Sequence, residues 1–201
     1  MTGDALTSQK NSREFSRDRK FWIMAKILIL YGTNSGQTRK VSERIAQVLV
    51  ENGHETEVIQ GIKAPKGFSP ESYDAAVIGT SIYMGQHQIA MKKLVKTHQE
   101  AFDKIPTAYF CVCLTAKDNS ERSIAEVQKY LKDFTSYTGL KPAQSIAVAG
   151  ALKYPDYNFI KRFSVKLLAR KLGLDTDTKK YFEYTDWDAV DHFATEFANS
   201  L

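Results

Sequence analysis

The first apolar run of the chain, KILILYG over 26–32, has no polar interruption, which is how a strand buried on both faces reads. From about 38 to 52 the period changes. Val41, Ile45, Val48 and Leu49 recur at helical spacing, and Asn52-Gly53 stops the helix. HETEVIQ (54–60) predicts a second strand, and AAVIGTSI (75–82), another continuous apolar run, a third. A helix over 88–102 should turn Ile89, Leu94, Val95 and Phe102 inward. TAYFCVCL (107–114) predicts the fourth strand, and Ile124, Val127, Leu131 and Phe134 mark a helix over 120–137. SIAVAGAL (145–152) predicts the fifth strand, and a closing helix over 187–199 carries Val190, Phe193, Ala194 and Phe197. Strands alternating with helices predict an α/β fold: a right-handed, doubly wound, five-stranded parallel sheet.

Two segments stand outside this alternation. Residues 1–24 are polar and of mixed charge, have no apolar signal-peptide core, and end in a second methionine, Met24. They are read as a disordered extension or the product of an upstream start, with the folded domain spanning 25–201. The other is the stretch of more than thirty residues after the fifth strand, KYPDYNFIKRFSVKLLARKLGLDTDTKKYFEYTDW. It is too long for an ordinary connection and too rich in aromatics and leucines for a disordered one, so 153–180 is read as a functional insertion. Within it, a helical pattern over 158–172 puts Phe159, Ile160, Phe163 and Leu167 on one face, with Val165, Leu168 and Leu172 on a second stripe.

Charge sharpens that reading. The 201 residues carry a net charge of +5, yet 153–180 alone hold eight Lys/Arg against three Asp. Basicity concentrated in one place predicts an anionic partner there. Lys153, Tyr154, Lys161, Arg162, Lys166 and Arg170 are the candidates for contact with an acidic substrate or an anionic membrane surface. A basic stretch this short, without a recognised motif, does not predict nucleic acid binding. Cys111 and Cys113 are two apart and cannot bridge within a strand; with no Cys-x-x-Cys, metal chemistry is not expected.

The loop between the first strand and its helix, YGTNSGQTRK (31–40), has the chemistry of a phosphate cradle. Thr33, Ser35 and Thr38 offer hydroxyls, Gly36 allows close backbone approach, and Asn34 and Gln37 complete the run up to the free amides of the helix start. It has neither the Gly-x-Gly-x-x-Gly of a dinucleotide fold nor a Gly-Lys-Ser/Thr. Neutral hydroxyls and amides without a lysine suit a terminal monophosphate better than a transferring polyphosphate.

LYGTNSGQT resembles the FMN-phosphate loop of flavodoxins, and the order of elements from 26 to 152 is similar to theirs. That resemblance implies FMN, gripped by two further loops after the third and fourth strands. These are Ser81, Ile82, Tyr83, Met84 and Gly85, with Tyr83 best placed to stack on the ring, and Leu114, Thr115, Ala116 and Lys117. AGALKYPDYNFIKRF and TDTKKYFEYTDWDAVDHFATEFA narrow the likeness to flavodoxin-like, quinone-dependent protoporphyrinogen IX oxidases. Where that family tends to place an arginine after Ser-Ile, this chain has Tyr83. The resemblance implies oxidation of protoporphyrinogen IX on FMN, in haem biosynthesis. Electrons would pass to menaquinone or ubiquinone at the inner face of a bacterial membrane, and no side chain is nominated as a base. A flavodoxin-type electron carrier is the alternative, and an FMN-dependent quinone reductase a third reading. Carriers are typically acidic around the flavin, whereas this insertion is basic.

Overall fold

The structure, a computed structural model, describes residues 24–201; apart from Met24, the leading extension lies outside the described residues. The elements run β1 (Lys26–Tyr31), α1 (Gln37–Glu51), β2 (Glu55–Gln60), β3 (Ala75–Tyr83), β4 (Gln86–His87), α2 (Ile89–Thr97), α3 (Gln99–Phe102), β5 (Thr107–Cys113) and α4 (Glu121–Thr138). After these come β6 (Gln144–Ala149), β7 (Ala151–Lys153), α5 (Phe159–Lys171), β8 (Tyr181–Glu183) and α6 (Trp187–Asn199). The five main strands lie in the order β2-β1-β3-β5-β6 and pair in parallel. The chain leaves β1 in one direction to β2 and returns across it to β3, so the winding reverses between β1 and β3, and the loops after those strands open side by side.

Helices cover both faces. On one, α1 and α6 bury Val41, Ile45, Leu49, Val190, Phe193 and Phe197 against Ile27, Ile29, Val77 and Phe110. On the other, α2, α3 and α4 bury Met91, Val95, Phe102, Leu131 and Phe134 against Leu28, Leu30, Ile78 and Tyr109. Two positions expected inside are exposed, Ile89 and Ile124. Both sit in the first turn of a helix, Ile89 opening α2 and Ile124 near the start of α4. The helix expected over 88–102 is two, separated at His98, whose φ of −107° leaves the helical region. His98 packs edge-on to Phe68 with ring centroids 5.4 Å apart.

The fifth strand departs most from expectation. It stops at Ala149; Gly150 donates its N–H to Cys113 O at 3.1 Å, and the chain turns into β7, which pairs antiparallel with β8 in a separate ribbon. The insertion is thus a small unit with its own core, in which Leu152, Tyr154, Tyr157, Val165 and Ala169 pack with Phe182 and Tyr184. Its helix α5 buries only Val165 and Ala169, while Phe159, Ile160, Phe163 and Leu167 remain 61–84 % exposed.

The β3–β4 hairpin is tied to α4 through a buried polar chain. His87 Nε2 donates to the Tyr130 carbonyl at 2.8 Å, which leaves Nδ1 to accept from the Thr80 hydroxyl at 3.1 Å. Thr80 Oγ1 in turn accepts from the Tyr109 hydroxyl at 2.9 Å. His87 is buried although it sits in a short hairpin strand next to the turn. That burial pushes its imidazole below its ordinary value.

Two outcomes follow for stability. Phe197→Ala should cost about 3–5 kcal/mol in a denaturant titration, and Phe163→Ala, on the exposed face of α5, under about 0.5 kcal/mol. As pH falls through about 6.5, the unfolded chain takes up a proton that folded His87 resists, so stability held at neutral pH is lost in acid. The unfolding midpoint should therefore drop between about pH 7 and pH 5, and His87→Gln should flatten that drop.

Candidate functional site

β1 hands over to α1 through a loop fixed at both ends. Gly32 N–H donates to Gly79 O at 2.9 Å, extending the ladder with β3 one residue past β1. Gly36 then turns the chain into the helix at φ 81°, a conformation that costs glycine little, and its N–H donates to Thr33 Oγ1 at 2.9 Å. Asn34 Oδ1 accepts from Gln88 at the head of α2 (2.6 Å). Gln37 Nε2 donates to Thr185 Oγ1 (3.0 Å), whose hydroxyl donates to Ala149 O (2.8 Å). The loop is therefore braced to three neighbouring elements. The Thr38 hydroxyl, fully buried, has no partner among the described residues.

The second loop is a two-residue hairpin turn. Met84 (φ 50°) and Gly85 (φ 76°) both take positive φ, and the register pairs Tyr83 with Gln86 and Ile82 with His87. The Ser81 hydroxyl is buried and, like that of Thr38, unpartnered. The third loop follows β5, where Leu114 leads into a single turn over Thr115–Lys117.

These loops enclose one cavity of about 450 Å³. Of the cofactor residues inferred from sequence, Thr33, Asn34, Ser35, Gln37, Thr38, Ser81, Ile82, Tyr83, Met84, Gly85, Leu114 and Thr115 line it. Gly36, Ala116 and Lys117 are not part of its lining. The volume is that of a small-molecule site. Three buried polar atoms of the lining have no partner among the described residues, the Thr38 and Ser81 hydroxyls and Gln37 Oε1, and they mark where a ligand's polar atoms would be met, since buried polar groups ordinarily find a partner. With hydroxyls and free helix amides at one end and Tyr83, Leu114 and Val112 along its length, the cavity fits a flavin carrying an anionic tail.

Several lining residues were not legible beforehand. Glu126 and Tyr130 stand one turn apart on α4, and the Tyr130 hydroxyl donates to the Glu126 carboxylate. Burial raises the Tyr130 phenol well above its ordinary value, the carboxylate adding to the effect. Their i, i+4 spacing was the available signal. Cys113 lies at the cavity wall. From the insertion come Tyr157, Ser164, Val165 and Leu168, so α5 forms part of the wall.

The basic residues of the insertion separate into distinct groups. Lys161 lines the cavity and donates to Ser35 Oγ at 3.0 Å; Lys153 Nζ stands over Gly36, 3.5 Å from where a Cβ would sit. The cradle, read as neutral, is thus approached by two ammonium groups from the far end of the chain. Arg162 is committed to the carbonyls of Tyr154 (3.1 Å), Pro155 (3.4 Å) and Tyr157 (3.0 Å). Tyr154, expected at a contact surface, is wholly buried and donates to Asp175 O at 2.9 Å. Lys166 and Arg170 lie along α5 away from the cavity lining.

A family model for the flavodoxin domain matches residues 28–179. The chain is 36% identical over 176 residues to the protoporphyrinogen IX dehydrogenase [quinone] of Escherichia coli K12, covering 87% of this chain and 95% of that protein. It is 34% identical to the protein of the same name from Leishmania major, covering 86% and 74%. Among solved structures, oxidised flavodoxin 1 of Bacillus cereus superposes with a TM-score of 0.51 at 19% identity, covering 88% of this chain and 99% of that one, which shows the shared fold. The chain belongs to the flavodoxin-domain family, in the branch whose curated members bear the name protoporphyrinogen IX dehydrogenase [quinone].

Proposed function

We propose that this chain oxidises protoporphyrinogen IX to protoporphyrin IX on bound FMN and delivers the electrons to a membrane quinone, menaquinone or ubiquinone. The observation that carries this reading is the cavity at the strand ends, with its unpartnered Thr38 and Ser81 hydroxyls, in a chain over a third identical to dehydrogenases of that name. Thr33, Ser35, Thr38 and the first amides of α1 would hold the phosphate. Tyr83, Met84 and Gly85 on one side, with Leu114 and Thr115 on the other, would flank the ring, Tyr83 offering its aromatic face. When bound, FMN would supply the redox chemistry of hydride abstraction from the macrocycle and electron transfer to the quinone. The protein's part is orientation and exclusion of water: Val165 and Leu168 of α5 close one side of the cavity with apolar surface.

We infer also that the chain contacts an anionic membrane surface. Among the described residues no helix is long and apolar enough to cross a bilayer. The exposed face of α5 provides another route to a lipid-soluble quinone. Phe159, Ile160, Phe163 and Leu167 are available to enter the interface, and Lys166, Arg170 and Lys171 to meet acidic headgroups. Each large apolar side chain buried is worth about 1.5–3 kcal/mol, and each nearby Lys or Arg about 1 kcal/mol. Met84, exposed at the hairpin tip, adds an apolar side chain at the rim of the cavity.

Full-length protein loaded with FMN and mixed anaerobically with protoporphyrinogen IX and a quinone should produce fluorescent porphyrin at a quinone-dependent rate; absence of turnover refutes the reading. Thr38→Ala should weaken FMN binding about tenfold, measured by quenching of flavin fluorescence. Sedimentation with vesicles containing anionic lipid should retain the wild type and lose most of the Phe159→Ser/Phe163→Ser double variant, with circular dichroism unchanged. Equal retention of both would remove α5 as the membrane contact.

A further inference from the structure

We propose that Lys153 and Lys161, both carried by the insertion, form a cationic clamp on the phosphate of the bound mononucleotide, and that this clamp fastens the insertion to the cofactor. The inference rests on the FMN reading above but concerns residues that the phosphate-loop pattern does not contain.

Three observations converge. The first is placement. Lys161 Nζ donates to Ser35 Oγ at 3.0 Å, across 126 residues of chain, and Lys153 Nζ stands 3.5 Å from the Cβ position of Gly36. Both ammonium groups therefore meet at the start of α1, whose free amides already present positive charge. The second is the lack of balance. Among the described residues, the ion pairs engage neither lysine with any carboxylate. Lys161 instead lies over the faces of Tyr157 (4.5 Å to the ring centroid) and Tyr83 (5.4 Å), which compensate a cation only in part. Burial accordingly pulls its ammonium below its ordinary value. The third is the buried, unpartnered Thr38 hydroxyl lining the same end of the cavity.

Two cations and a helix N-terminus at one spot repel one another until an anion arrives, and a phosphate monoester carries close to two negative charges at neutral pH. Substrate propionates fit less well. They would be expected at the exposed end of the cavity, whereas these lysines sit against the loop backbone between α1 and β7. The arrangement also has a mechanical side. Lys161 lies in the first turn of α5 and Lys153 ends β7, so one phosphate would hold both ends of the connection between them. Loading the cofactor would thereby secure the helix that walls the cavity and bears the exposed apolar face.

The test compares FMN with riboflavin, which lacks the phosphate, on full-length protein stripped of flavin. Lys153→Met and Lys161→Met should each weaken FMN binding by about tenfold at low salt, while riboflavin affinity changes by less than about threefold. Lys161→Arg should recover most of the loss. Inorganic phosphate should raise the melting temperature of the stripped wild type, but not that of the double Lys→Met variant. Unchanged FMN affinity in both single variants, or an equal fall for riboflavin, would overturn the clamp. Should the wild type take up neither flavin, the FMN reading fails by itself. The phosphate arm then still decides the clamp: stabilisation lost in the double variant supports it, and no stabilisation of the wild type overturns it.

Discussion

The site depends on the parallel pairing of β1 with β3. That register sets Tyr31 opposite Gly79, and the bond from Gly32 N–H to Gly79 O carries the ladder one residue further, until the phosphate loop and the hairpin turn stand side by side. In a parallel sheet every strand ends on the same edge, so loops distant in sequence open into one space. A slip of one residue would reverse the faces of β3 and remove Ser81 and Tyr83 from the loop they now adjoin. The register is held by Leu28, Leu30, Ala76 and Ile78 on one face and by Ile27, Ile29, Ala75 and Val77 on the other, all buried. Hydrophobic burial on two faces of one ladder is thus what positions the polar groups of the cavity.

On that scaffold the insertion adds what a plain doubly wound sheet lacks. Ending β6 at Ala149 and starting the β7–β8 ribbon at Ala151 lifts the chain off the sheet edge and carries α5 across the cavity. The ribbon and α5 share a small core around Tyr154, Tyr157 and Ala169. Because that core needs only one face of α5, the other is left with large apolar side chains in solvent, an arrangement that in a soluble domain marks an interaction surface. A single helix therefore borders the cavity with Val165 and Leu168 and presents Phe159, Ile160 and Phe163 outward.

The electrostatics follow the same division. Lys166 and Arg170 remain along α5, Arg162 is absorbed by backbone carbonyls, and Lys153 and Lys161 turn inward to the start of α1. A block of charge that looks uniform along the chain separates into three different settings once folded. The Glu126–Tyr130 pair adds a carboxylate to the cavity lining.

The chain's own pattern determined the five parallel strands, the helices between them and the loop from Thr33 to Thr38. Burial on both faces of a strand and one face of a helix are periodic constraints, written locally. It also marked the insertion, by its length and basicity. The end of the fifth strand at Ala149 was not legible, because SIAVAGAL remains apolar through the turn and only the competing partner β8 decides where pairing changes. His87 gave no local sign of burial; Thr80, Tyr109 and the Tyr130 carbonyl, from three other elements, create its environment. Most of all, no local pattern could place Lys161 beside Ser35. A lysine's partner is set by where the folded backbone aims its long side chain, and that was decided only when β7 and α5 packed over the loop.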